Sequence, residues 1–138
     1  MDIVYLWCDG SDALWRNRRK QTFDLFEDRE HLTRSANVEG RFRDNVELLY
    51  SLRSLELYYK ERGNIYIISD GQIPASLDEQ AGIQFIYHSD FLPYTPTFSS
   101  KAIEASIPFL SQISEEFLFL NDDVFFGPRF SVNSFLKD

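Results

Sequence analysis

Phe117-Leu118-Phe119-Leu120-Asn121-Asp122-Asp123-Val124-Phe125-Phe126 is the stretch on which the fold turns. An apolar run breaks off in an amide and two adjacent carboxylates, and a second apolar run follows. Unpaired carboxylates are expensive to bury. A strand buried as far as Leu120 that delivers Asp122 and Asp123 to a cleft at its C-terminal end avoids that cost. In open α/β sheets this edge carries the ligand crevice. Two hard oxygen donors there suit Mg2+ or Mn2+, and such an ion suits a diphosphate.

Three apolar runs upstream have the same form. Ile3–Trp7 stops at Asp9-Gly10-Ser11-Asp12, Ile65–Ser69 at Asp70-Gly71, and Ile83–Tyr87 at His88-Ser89-Asp90. Helical patterns lie between them. Asp12 is placed to cap a helix from Ala13, with Leu14, Trp15, Phe23 and Phe26 as its apolar positions. A stronger helix opens at Asp44 or Asn45, with Val46, Leu49, Leu52, Leu55 and Tyr59 at helical spacing and Gly63 at its end. A short helix is expected over 75–80 after Pro74, and another from Ser100 to Leu110, limited by Pro108. Residues 28–41 are polar and patternless and read as a loop. Strands alternating with helices imply an α/β fold with a mostly parallel sheet and flanking helices. Every strand then carries its polar terminus to one edge.

The 138 residues suffice for a single domain over 1–138 with a real core. Thirteen Phe and seven Tyr favour a packed interior over disorder. A net charge of −8 argues against a nucleic-acid binder, which needs a basic face. The lone Cys8 excludes an internal disulfide and fits a reducing, cytoplasmic setting. No apolar run approaches the ~18 residues of a membrane span. The chain enters a strand pattern at once, with no signal peptide expected.

Four blocks of the sequence resemble the Stealth family of sugar-phosphate transferases. Residues 3–12 read IVYLWCDGSD, close to the family's "vYtWVDGSD". Residues 41–54 read RFRDNVELLYSLRS, close to "RFRDNgELrYSLRS". Residues 65–74 read IYIISDGQIP, close to "iyivtDGQvP". The last block runs from Pro96-Thr97-Phe98 through Ala102-Ile103-Glu104 to Asn121-Asp122-Asp123-Val124-Phe125. The blocks keep family order across most of residues 1–127. Ser99 and Lys101 depart from the family pattern, and Pro108 and Phe109 replace its usual His and Arg.

The resemblance implies a Rossmann-like, glycosyltransferase-A-like fold. It implies transfer of a sugar 1-phosphate from a nucleotide diphosphate sugar such as UDP-GlcNAc to a carbohydrate hydroxyl, in capsular or surface polysaccharide synthesis. Asp122 and Asp123 are then the expected metal site for Mg2+ or Mn2+, one of the pair holding the ion and the other accepting the proton of the attacking hydroxyl, with Arg43 as the third expected catalytic residue. Arg43 and Arg41 precede a helix start and suit a phosphate. Asp9, Gly10, Ser11, Asp12, Asp70, Gly71, Gln72, Lys101, Glu104 and Asn121 complete the expected substrate-binding set. Two later regions of the family are absent from these residues, so a partner chain or a further C-terminal region is expected to complete the site. The alternatives are a conventional metal-dependent glycosyltransferase, which releases a nucleoside diphosphate, and a non-catalytic nucleotide-sugar-binding fragment or subunit.

Overall fold

The computed structural model describes residues 1–25, 38–77 and 82–134. Its regular elements are β1 (Asp2–Leu6), α1 (Ala13–Leu25), α2 (Glu47–Tyr58), β2 (Ile65–Ser69), β3 (Ile83–Tyr87), α3 (His88–Phe91), α4 (Ser100–Ser106) and β4 (Phe117–Asn121). A 3-10 turn at Glu39–Phe42 leads towards α2, and another at Ile107–Phe109 follows α4. The four strands form one sheet in the order β3-β2-β1-β4, and every pair is parallel. This is the α/β, Rossmann-like arrangement that the alternation of strands and helices predicts.

A parallel sheet covered on both faces needs strands that are apolar at every position. The central strand meets that demand, because Ile3, Val4 and Tyr5 are fully buried. Alternate residues serve opposite faces. Ile3, Tyr5 and Trp7 pack with Leu48 and Leu55 of α2 and with Phe126. Val4 packs with Tyr66, Ile68 and Ile86 and with Ile103 and Ile107 on the α4 side.

The chain builds β1, β2 and β3 outward in one direction and then returns to lay β4 on the other flank of β1. The order therefore reverses between β1 and β4, which is where open α/β sheets form their crevice. Leu6 pairs with Asn121 in the register, so the residues that follow both strands emerge side by side.

Several local expectations are corrected. The helix predicted from Asp44 or Asn45 begins at Glu47, after Val46 in the left-handed region at φ 69°. Its buried face is Leu48, Ser51 and Leu55, while Val46 is exposed. Of the stripe read from the sequence, Leu55 is buried and Leu52 and Tyr59 pack against the core, and Ser51 shares that face, held there by hydrogen bonds. Gly63 does not end α2, since the cap is Tyr59. A Cβ at Gly63 would instead collide with the Asp2 carboxylate. That carboxylate accepts the N–H groups of Asn64 (2.8 Å) and Ser114 (2.9 Å). Leu14 of α1 faces solvent, and Trp15 is the residue this helix buries. Residues 75–77 form a turn rather than a helix. Of the loop expected over 28–41, the described part instead carries the 3-10 turn at Glu39–Phe42, and Phe26, residues 28–37 and residues 78–80 lie outside the described residues.

Candidate active site

A cleft of about 390 Å³ opens at the C-terminal edge of the sheet between β1 and β4. Leu6, Trp7 and Cys8 line it from β1, and Asn121, Asp122 and Asp123 from β4. Arg41, Phe42, Arg43, Asn45 and Glu47 line it from the approach to α2, and Ser100, Ile103 and Glu104 from α4. His88 and Phe98 close the remaining side.

Two serines of α2 hold the acidic loop in place. Ser51 Oγ donates to the Val124 carbonyl (2.5 Å), which leaves it to accept the proton of the buried Tyr5 hydroxyl (2.8 Å). Ser54 Oγ accepts the Phe126 N–H (2.8 Å) and donates to the Ser51 carbonyl (2.7 Å). The segment after Asp123 is thereby tied to α2.

The turn into α2 is held as firmly. The Asp44 carboxylate accepts the Val46 N–H (3.0 Å), and the Glu47 carboxylate accepts the backbone and side-chain N–H groups of Asn45 (2.5 and 2.6 Å). These bonds retain a β-branched residue at positive φ, a conformation that costs roughly 1–3 kcal/mol. The result is a convergence of three carboxylates. Oxygens of Asp44, Glu47 and Asp122 all lie within 4.8 Å of one another. Burial pushes the Asp122 carboxyl up to about 6, and the charges of Asp123, Glu47 and Asp44 add to the effect. The Asn45 amide holds Glu47 below the usual carboxylate range. Three hard oxygen donors of this kind fit Mg2+ or Mn2+.

The residues expected from the sequence divide into two groups. Asp122, Asp123, Asn121, Arg41, Arg43 and Glu104 come together in the cleft. Asp9, Ser11, Asp12, Asp70, Gly71, Gln72 and Lys101 do not line it. Asp9 Oδ1 accepts the N–H (2.7 Å) and hydroxyl (2.6 Å) of Ser11. Gln72 clamps the Asp9 peptide, accepting its N–H (3.0 Å) and donating to its carbonyl (2.9 Å). Asp12 caps α1 through the Trp15 N–H (2.8 Å). Asp70 pairs with Arg18 (2.9 Å), and Gly71 occupies a left-handed turn position at φ 76°. Gly10 serves a close approach, but to protein: its N–H meets the Phe42 carbonyl (2.7 Å), and a Cβ would lie 2.7 Å from Phe42 Cβ.

Sequence reasoning did not assign Asp44 and Glu47 to the metal. No helical spacing signalled this, since Asp44 precedes the left-handed Val46 and only Glu47 belongs to α2; the hydrogen-bonded turn over 44–47 brings the two carboxylates together. Sequence reasoning also missed the aromatic wall of Trp15, Phe42 and Phe98, whose rings lie 5.2 and 5.3 Å apart around Trp15. His88 is 5% exposed, its ring nitrogens lack hydrogen-bond partners, and its Nδ1 lies 3.9 Å from Asp70. Burial lowers its pKa. Burial, reinforced by Asp122, Asp9, Asp44 and Asp70, pushes the Cys8 thiol up to about 12, which removes it as a nucleophile.

Against this geometry the comparisons with known proteins are specific. Residues 41–138 match the family described as Stealth protein CR2, conserved region 2. The chain belongs to the Stealth family. It is 39% identical to the exopolysaccharide phosphotransferase SCO2592 of Streptomyces coelicolor, over 92% of this chain and 14% of that protein. It is 35% identical to a capsular polysaccharide phosphotransferase of Actinobacillus suis, over 99% of this chain and 38% of that protein. It is 34% identical to the capsular polysaccharide phosphotransferase WcwK of Streptococcus pneumoniae, over 100% of this chain and 40% of that protein. The chain thus spans well under half the length of these relatives. Among the described residues, no helix is long and apolar enough to cross a membrane.

Proposed function

We propose that this chain forms the donor and metal site of a transferase that moves a sugar 1-phosphate from a nucleotide diphosphate sugar, such as UDP-GlcNAc, to an acceptor sugar hydroxyl. The setting is capsular or surface polysaccharide synthesis, the role named for its relatives. The observation that carries this reading is the convergence of Asp44, Glu47 and Asp122 in a cleft that also holds Arg41 and Arg43. An acidic trio beside two guanidinium groups is what an anionic, metal-chelating donor requires.

Asp44, Glu47 and Asp122 would hold the Mg2+ or Mn2+. When bound, such an ion neutralises charge on the non-bridging oxygens of a diphosphate. Arg41 and Arg43 bind and orient the phosphates, and a guanidinium can do so through two parallel hydrogen bonds. Asp123 and Glu104 both line the cleft outside the trio, and Asp123, next in the chain to the metal-holding Asp122, is the carboxylate assigned to accept the proton of the acceptor hydroxyl. The acceptor oxygen forms a bond to the phosphorus that carries the sugar. The bond from that phosphorus to the bridging oxygen breaks, and the nucleoside monophosphate leaves. Positioning supplies most of the rate enhancement in such a reaction. Trp15, Phe42 and Phe98 offer apolar faces to the sugar or the base.

The test is titration of UDP-GlcNAc with and without Mn2+ on wild type and Asp122→Asn, followed by an acceptor screen that separates UMP from UDP. Metal-dependent binding lost in the variant, and UMP as product, are the expected results. UDP as product would replace phosphoryl transfer by glycosyl transfer, and metal-independent binding would remove the trio from the site.

A further inference from the structure

Buried polar groups in a folded chain find hydrogen-bond partners, and each exception calls for an explanation. Asp2, Ser51, Ser69 and Gln72 are buried and follow the rule. Asp2 accepts from Asn64 and Ser114, Ser51 joins Tyr5 to Val124, Ser69 donates to the Gln72 carbonyl (2.6 Å), and Gln72 clamps the Asp9 peptide. Among the described residues, the buried side-chain nitrogens and oxygens with no such partner belong to Trp7, at its indole Nε1, and to His88, at both ring nitrogens. Trp7 is 4% exposed and His88 5%. Both line the cleft that Glu47 and Asp122 also line, Trp7 from just past β1 and His88 from just past β3. The orphaned groups are therefore gathered in the walls of the site and not scattered through the core.

This pair differs in chemistry from the rest of the cleft, where guanidinium and carboxylate groups carry charge. Burial lowers the His88 pKa, so the ring is neutral at pH 7 despite the nearby Asp70. Asp70 lies 3.9 Å from Nδ1, beyond hydrogen-bond reach, and its other oxygen is held by Arg18 (2.9 Å). A neutral imidazole carries one donor and one acceptor, and an indole carries one donor. Such groups match an uncharged hydroxyl or amide better than a phosphate. The nitrogens are shielded from solvent, so contact with a ligand takes a side-chain rotation of the kind common on binding.

We propose that Trp7 and His88 determine donor specificity, by hydrogen bonds to a hydroxyl or amide group on the uncharged sugar or base joined to the diphosphate. The assignment rests on the transfer reading above, which gives the diphosphate to the metal and the arginines and leaves the neutral ends of the donor to other groups. Discrimination follows from burial. A site with buried hydrogen-bonding groups rejects a ligand that cannot meet them, because those groups then stay unpaired in the complex. In the free chain the same nitrogens oppose folding, since each gives up water without a replacement.

The experiment is calorimetric titration of UDP-GlcNAc and of inorganic pyrophosphate, each with Mn2+, into wild type, His88→Leu, His88→Gln and Trp7→Phe, with thermal unfolding of each chain. His88→Leu should melt no lower than wild type, because an apolar side chain removes the unpaired nitrogens, yet bind UDP-GlcNAc roughly tenfold or more weakly. A residue that merely supported the fold would lose stability instead. His88→Gln, again a neutral donor and acceptor, should bind better than His88→Leu. Trp7→Phe keeps an aromatic ring and deletes one donor, and should lose roughly three- to tenfold. It reads the same subsite should His88→Leu not fold. Pyrophosphate affinity should be the same in every variant. UDP and GlcNAc 1-phosphate, titrated in turn, divide the contact: a loss confined to UDP places it on the base, and one confined to GlcNAc 1-phosphate places it on the sugar. Undiminished UDP-GlcNAc affinity in the folded variants overturns the proposal. So does an equal loss for pyrophosphate, which would make the pair supports of the phosphate site. Pyrophosphate binding by wild type reads the metal and the arginines alone. Its absence therefore bears on the transfer reading, whereas its presence beside variant-insensitive UDP-GlcNAc binding removes only the specificity pair.

Discussion

Ser51, on the buried face of α2, donates its hydroxyl proton to the carbonyl of Val124, a residue 73 positions away and next in the chain after Asp123. The same oxygen receives the Tyr5 hydroxyl from β1. One serine therefore joins the central strand, the helix that follows the Asp44–Glu47 turn, and the acidic loop. This bond ties the segment that follows Asp122 and Asp123 to the helix that Glu47 opens.

Ser51→Ala should cost about 2–3 kcal/mol in urea unfolding, more than one ordinary hydrogen bond, because it strands the buried Tyr5 hydroxyl as well as the Val124 carbonyl. In a Tyr5→Phe background the same change strands only the carbonyl and should cost about 1 kcal/mol less. A strictly additive cycle would show that the two hydroxyls act separately.

Asp122 makes stability pH-dependent, with a sign opposite to that of a salt-bridged aspartate. Its carboxyl titrates at about 6 in the folded chain, against 3.8 for a free one. The folded state holds this proton more tightly, so ionising it opposes folding. This contribution to stability should fall as pH rises from about 4 to 6 and level off above. Asp122→Asn should remove the decline and raise stability at pH 8 by about 1 kcal/mol, the shift being discounted for solvent screening. Mn2+ affinity should run the other way, falling as pH drops through about 6, since the ligand must be ionised. Chemical denaturation and metal titration at pH 5, 6.5 and 8 read both trends.

Gly10→Ala should damage the cleft from outside it. The new methyl group meets the Phe42 carbonyl oxygen and Phe42 Cβ, both close to fixed backbone. Phe42 ends the 3-10 turn flanked by Arg41 and Arg43, so relieving the clash displaces the guanidinium groups. A loss of about 2 kcal/mol or more in thermal unfolding, with weakened UDP-GlcNAc binding, is expected. Unchanged nucleotide-sugar affinity would mean that the arginines do not depend on this contact.

Cys8 should be inert in the folded chain despite lining the cleft. With its thiol pushed up to about 12, its thiolate population at pH 8 is roughly a thousandfold below that of an unperturbed cysteine. Iodoacetamide labelling followed by mass spectrometry should be slow in buffer and rapid in urea. Fast labelling of the folded protein would place Cys8 in a more open or less acidic setting.

Much of this could be read from local pattern. The strands read at 3–7, 65–69, 83–87 and 118–120 lie within one residue of the observed ones. Each stops at a polar cluster, and parallel pairing then carries those clusters to one edge. The paired carboxylates at Asp122 and Asp123 were legible for the same reason, since an apolar run that ends in two acids must end at a surface; the run itself is half-buried rather than buried, because β4 is an edge strand. The face of α2 was legible in part: Leu52, Leu55 and Tyr59 pack inward as their spacing implies, but Ser51 and Ser54 also turn inward to satisfy the backbone at 124–126, and a count of apolar positions assigns serines to solvent.

The order of the strands decided the rest. Sequence alone determined the class of fold, the edge that carries chemistry, and the presence of acids and arginines near it, because side-chain period and strand-ending polarity are local properties. Only the tertiary structure decided that Asp44 and Glu47 join Asp122, that Gly10 yields space to Phe42 rather than to a ligand, and that Trp7 and His88 line the same cleft. Those outcomes depend on which loops the reversal between β1 and β4 brings together, and packing between segments more than seventy residues apart leaves no periodicity in the chain.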